Sequence, residues 1–155
     1  MIKVGRKVFS YLALQPVSLF APPIPNKESF SNPRLHFLLL GPSGSGKTSC
    51  VLMSKDFAYN PYLFQDVTGA KIATDLLGKE KTSLLCTDVD TIFKDTELIK
   101  IIEGVIGEES MVQRFNMRST LSFNTEATFL GCGLFESLRE NIRHGFLQRT
   151  VPLVI

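Results

Sequence analysis

Residues 35–49 read Leu35-His36-Phe37-Leu38-Leu39-Leu40-Gly41-Pro42-Ser43-Gly44-Ser45-Gly46-Lys47-Thr48-Ser49. The first six form a short, nearly continuous apolar run, which is how a strand buried on both faces of a parallel sheet reads. Thr48 to Phe57 can continue as a helix, so the glycine-rich stretch is a strand-to-helix turn. Gly41, Gly44 and Gly46 allow backbone conformations that a Cβ would forbid. Successive N–H groups can then converge on one anion, at the positive end of the helix that follows.

Gly41 to Thr48 has the full spacing of the Walker A phosphate-binding loop. In that reading Gly41, Pro42, Ser43, Gly44, Ser45, Gly46, Lys47, Thr48 and Ser49 surround the phosphates of a nucleoside triphosphate, taken here as ATP. Lys47 reaches the β and γ phosphates as a point charge. The hydroxyl of Thr48 ligates Mg²⁺ from the first helical turn. A glycine-rich turn that merely contains Gly-Lys-Thr is the bland alternative, and the strand before it and the helix after it argue against that.

Working outward, 155 residues with 44% hydrophobic content can bury the core of one α/β domain. The net charge of +2 does not by itself announce a nucleic-acid partner. Arg114, Arg118, Arg139, Arg143 and Arg149, set against Glu126, Glu136 and Glu140, read as an ordinary solvated surface. Cys50, Cys86 and Cys132 lie far apart without a C-x-x-C pair and read as reduced, buried, small hydrophobes of an intracellular protein, cytoplasmic or, in a eukaryote, nuclear. Lys3, Arg6 and Lys7 before Val8 to Leu14 imitate a secretion signal, but Gln15 and Pro16 interrupt the run and no small-x-small cleavage site follows. No stretch is long enough to span a bilayer, so no membrane partner is expected.

Pro16, Pro22, Pro23, Pro25 and Pro33 make residues 15–34 a linker. Residues 1–34 are therefore an N-terminal extension plus linker, and Val8, Phe9, Leu12 and Leu14 suit a short amphipathic helix. Residues 35–155 are the nucleotide-binding core. Beyond the first helix the sequence predicts a turn at Tyr59 to Tyr62, a strand at Leu63 to Val67, and a helix capped by Thr68 that ends at Gly78. A buried strand over Ser83 to Thr87 and a helix over Asp95 to Ile106 follow. Residues 112–123 then read as paired strands, Ala127 to Gly131 as a buried strand, Phe135 to His144 as a helix closed by Gly145, and Val151 to Ile155 as a last strand. Alternating buried strands and helices predict a three-layer α/β fold with a mostly parallel sheet, Leu35 to Leu40 central and beside Ser83–Thr87 or Ala127–Gly131.

A hydrolase of this kind needs a carboxylate near the metal and a group that orients the attacking water. Leu84-Leu85-Cys86-Thr87-Asp88-Val89-Asp90 offers two registers against an apolar-Asp-Glu pattern. Either Asp88 is the metal-side acid and Asp90 substitutes for the base, or Thr87 replaces the metal-side acid and Asp88 takes the base position. Asp88 is functional in both, and the metal candidates are Thr48 and Asp88, with Asp90 third. The bland reading is that the two aspartates only cap a helix beginning near Thr91.

The order of loop, acidic box, helix, arginine-bearing hairpin, strand ending Gly131-Cys132-Gly133 and then Phe146-Leu147-Gln148-Arg149-Thr150 resembles the AAA+ ATPase core of replicative helicases. It is similar to minichromosome-maintenance-type proteins and to viral and plasmid helicase ATPases, over residues 35–155. The resemblance implies a homo-oligomeric ring, with DNA as a partner. It also implies a helical lid, which would lie beyond Ile155, and an arginine finger at Arg149 that completes a neighbouring subunit's site. Lys47, Asp88 and Arg149 are then the catalytic set. Two other classes stay open: a nucleotide-gated binding or assembly module that hydrolyses weakly, and a divergent P-loop small-molecule kinase.

Overall fold

The computed structural model describes residues 35–107, 111–116, 119–136 and 145–155. The N-terminal extension, the linker and most of the Phe135–His144 helix lie outside them.

Seven strands and five helices fall wholly within the described residues. They run β1 (Phe37–Leu40), α1 (Lys47–Ser54), β2 (Pro61–Phe64), α2 (Gly69–Leu76), β3 (Lys81–Cys86), α3 (Val89–Lys94), α4 (Thr96–Ile106), β4 (Met111–Asn116), β5 (Ser119–Asn124), β6 (Glu126–Gly133), α5 (Gly145–Gln148) and β7 (Val151–Val154). Five strands form one all-parallel sheet in the order β2-β3-β6-β1-β7, and β4 pairs with β5 as a separate antiparallel hairpin. The strand carrying the glycine-rich loop is therefore interior and lies beside β6, not β3.

Side chains of the sheet alternate between two apolar clusters, one on each face. Phe37, Leu39, Leu85, Leu130 and Cys132 pack with Cys50 and Val51 of α1. Leu38, Leu40, Leu84, Cys86 and Phe129 pack with Ile72 and Leu76 of α2, Val89 and Ile92 of α3, the apolar side of α4, and Phe146 of α5. This α/β arrangement, with helices on both faces, is compatible with three layers.

The crossover on α1 carries the chain from β1 outward to β2. The connections β2 to β3, β3 to β6 and β6 to β7 all step back the other way, with their helices on the opposite face. Direction and face reverse together, so all four crossovers share one hand, as parallel connections in a sheet require.

That reversal positions the site. Chain leaving β1 turns to one face and chain leaving its neighbour β6 turns to the other, so a crevice opens between them at the carboxyl edge of the sheet. His36 fixes the opposite end. Its carbonyl accepts the Val151 N–H at 2.7 Å and its Nδ1 accepts the Phe129 N–H at 3.2 Å, tying β7 and β6 to the start of β1.

Several element boundaries differ from the sequence reading. β2 is Pro61–Phe64 and not Leu63–Val67, because Asn60 makes the turn at φ 44° and Pro61 occupies the first position of an edge strand, where its missing N–H costs no ladder bond. The first helix ends at Ser54, short of Phe57, and β6 continues past Gly131 to Gly133. Gly145 opens a short helix, and the end of the predicted helix before it lies outside the described residues. α2 follows expectation: the Thr68 hydroxyl accepts the Lys71 N–H at 3.3 Å, and Gly78 turns the chain at φ +81°.

Candidate functional site

The loop between β1 and α1 bends through Gly44 at φ +78° and Gly46 at φ +88°, the left-handed region that favours glycine. A Cβ at either would meet nothing within 4 Å, so it is the backbone turn, not crowding, that requires glycine there. Gly46 is the N-cap of α1. A glycine brings no side-chain acceptor, and no acidic residue lies in the first turn, so the leading N–H groups of the helix have no carboxylate to receive them.

Lys47 is 8% exposed. Its Nζ donates to the Gly41 carbonyl at 2.8 Å, the Pro42 carbonyl at 2.6 Å and the Ser45 hydroxyl at 3.3 Å. All three acceptors are neutral, and among the described residues Lys47 makes no ion pair. The result is a buried cation folded into its own loop beside helical N–H donors.

Across the crevice, β3 ends at Cys86 and the chain turns into α3 at Asp88. Asp88 Oδ1 accepts the Asp90 N–H at 3.0 Å and caps the helix, while its carbonyl accepts the Thr91 hydroxyl at 2.8 Å. The capping role is thus real. It engages one carboxylate oxygen and leaves Asp88 on the wall of the cleft. Asp90 Oδ1 is the one buried side-chain oxygen or nitrogen among the described residues with no hydrogen-bond partner. A buried carboxylate oxygen left unpaired is costly unless a donor or cation reaches it.

The tip of β6 forms the third wall. Cβ atoms on Gly131 and Gly133 would stand 2.6 Å and 2.4 Å from the Val89 side chain, so α3 can lie on the sheet only because both positions are glycine. Cys132 between them faces the other way. Its thiol donates to the Thr87 carbonyl at 3.1 Å and lies 3.9 Å from the Thr48 hydroxyl, and burial pushes its pKa up, keeping it protonated.

These walls enclose a cleft of about 310 Å³, lined by Ser43, Gly44, Lys47 and Thr48, by Thr87, Asp88 and Asp90, by Cys132, Gly133 and Leu134, and by Gln65 at one side. The structure therefore brings together the loop lysine, the threonine hydroxyl and both aspartates. Sequence reasoning missed Gln65, Cys132, Gly133 and Leu134 as lining residues. The glycines flanking Cys132 were the available signal, since they imply that its neighbouring face is filled.

Arg149 is not in the cleft. It precedes β7, whose Val151 pairs with Phe37 at the amino end of β1, while the glycine-rich loop leaves the carboxyl end. Exposed Arg149 donates from Nη1 to the Glu103 carbonyl at 3.4 Å and makes no ion pair among the described residues.

Among the described residues no three His, Cys, Asp or Glu side chains are grouped to hold a metal ion by themselves, and no helix is long and apolar enough to cross a membrane. All three cysteines are free and buried. Neither models of known protein families nor curated proteins match this chain.

The orphaned oxygen has a measurable consequence. Asp90→Asn keeps the shape and removes the unpaired charge, so the variant is expected to melt higher than the parent without ligand, by about 2–4 °C for each kcal/mol relieved. Thermal melting of parent and variant reads the difference, and a variant that melts no higher than the parent would show that the unpaired oxygen costs the fold nothing.

Proposed function

We propose that this chain binds Mg-ATP in the cleft, with residues 41–48 as its P-loop, and hydrolyses it. The observation that carries this reading is the buried Lys47 ammonium, held among the described residues by neutral acceptors alone, beside an uncapped helix N-terminus. An incoming phosphate offers charge-assisted hydrogen bonds in place of neutral ones, and the leading N–H groups of α1 gain an acceptor at the same time. Mg²⁺ suits a site that gives it one or two carboxylates and leaves its other positions to phosphate oxygens and water.

In this reading Thr48 Oγ1 and Asp90 would hold the ion, which when bound would draw charge from the β and γ phosphate oxygens. Lys47 binds those same oxygens. Asp88, with one oxygen committed to the helix cap, turns the other toward the attacking water and orients it. The fold and site also suit the AAA+-like ATPase core suggested by the sequence, acting in a ring and possessing DNA as a partner; its ATP supply would place it inside a cell.

Asp88→Asn tests the hydrolytic half. It retains the capping acceptor and removes the carboxylate, so affinity for Mg-ATP by calorimetry is expected to stay within a few-fold while phosphate release falls by about 10²–10⁴. A second reading, a nucleotide-gated assembly module with slow hydrolysis, is favoured by two observations. Val89, between the two aspartates, points into the core at 0% exposure, and the β6 tip presents a thiol where a more polar group would serve water better. Parent turnover no faster than that of Asp88→Asn would establish that second reading. Turnover stimulated by a nucleoside or nucleotide acceptor, but not by DNA, would point to a kinase.

A further inference from the structure

Glu103 lies in the last turn of α4, yet its side chain serves a different element. Its Oε1 accepts the Phe146 N–H at 2.6 Å, at the start of α5, and its carbonyl accepts both the Gly107 N–H at 2.9 Å and the Arg149 guanidinium at 3.4 Å. The absence of a side chain at Gly145 lets the carboxylate in, since a Cβ there would stand 3.3 Å from Oε1. One residue thus holds both ends of the short turn that carries Arg149: the leading N–H at one end and the guanidinium at the other. α5 spans only four residues and cannot hold its own geometry. Phe146 is fully buried against Phe129 and Phe93, so the turn pivots on a fixed ring, and Glu103 sets its orientation about that ring.

We infer that Glu103 is a positioning residue for Arg149, holding the guanidinium in place at the rim of the subunit for use in a neighbour's nucleotide site. The inference rests on the reading of Arg149 as a residue given in trans. The acceptor atom, and not the negative charge, carries the role. Gln keeps an oxygen at the same reach, whereas Asp keeps the charge and withdraws the oxygen by one methylene.

The test mixes full-length Arg149→Ala subunits, which retain an intact loop, with donor subunits that carry Lys47→Ala and so contribute only the arginine. ATP turnover is compared for four donors: Lys47→Ala alone, and Lys47→Ala combined with Glu103→Ala, Glu103→Asp or Glu103→Gln. The Gln donor is expected to restore turnover as well as the unmodified donor, and the Ala and Asp donors about tenfold less, the worth of one lost hydrogen bond. Single Glu103 variants with Lys47 intact are expected to bind Mg-ATP with unchanged affinity, a result that general unfolding would not give. Where Glu103→Ala does not fold, the comparison of Asp with Gln decides. Equal restoration by all four donors overturns the role of Glu103 while leaving that of Arg149 standing. Failure of the unmodified donor, in oligomers shown to have assembled, overturns the trans reading and this inference with it.

Discussion

Lys47→Ala is expected to reduce Mg-ATP affinity by at least ~10²-fold, the loss of one or two charge-assisted hydrogen bonds at about 1.5–3 kcal/mol each, and to abolish measurable turnover. The folded state should scarcely notice. Among the described residues Lys47 makes three hydrogen bonds, all to acceptors of its own loop, so its removal frees the Gly41 and Pro42 carbonyls at the mouth of the cleft without opening the core. Burying an ammonium among neutral groups also carries a desolvation cost that the alanine variant escapes. Calorimetric titration, phosphate release and thermal melting of parent and variant measure the three quantities together. Parent-like affinity and turnover in the variant would dismiss the P-loop reading; loss of both with an unchanged melting temperature is the expected outcome.

What made this site legible in sequence is that its chemistry is local. A strand buried on both faces must be apolar throughout, and a turn with two left-handed residues must use glycine, so residues 37–48 disclose both strand and loop in one stretch. The cap of α2 was equally local, Thr68 accepting the Lys71 N–H three residues ahead, whereas Asp95, read as the first residue of its helix, is the N-cap of α4. α3 was legible only as the bland alternative, a capped helix beginning near Thr91 and not at Val89, because six residues are too few to show a helical period.

Strand order was not legible either. Whether β6 or β3 lies beside β1 depends on contacts between residues some 90 positions apart, for which the apolar runs of the two strands are interchangeable. The dual character of Asp88 follows from this. Sequence offered capping and chemistry as rivals, whereas the register puts the cap of α3 level with the strand tips flanking the loop, so one residue meets both demands.

The placement of Arg149 leads to the largest expected effect. From the level of Phe37 and Val151 to the level of Leu40 is three strand rises, about 10 Å of sheet, and Arg149 lies before the first level while the loop lies beyond the second. An arginine there cannot bend to its own subunit's phosphates. Used at all in catalysis, it acts in a neighbour, so turnover should rise with protein concentration as oligomers form. Arg149→Ala is expected to bind Mg-ATP normally and to lose a factor of about 10³–10⁵ in turnover, roughly 4–7 kcal/mol of transition-state stabilisation. Mixing it with Lys47→Ala should restore part of the activity, since the first variant keeps an intact loop and the second supplies the missing guanidinium. Neither variant alone can do so, which makes restoration specific to a site shared between subunits. A strictly monomeric parent that turns over at full rate, or an assembled mixture that stays inactive, would instead return Arg149 to a structural role, clamping α5 to the carboxyl end of α4, where its positive charge meets the helix dipole.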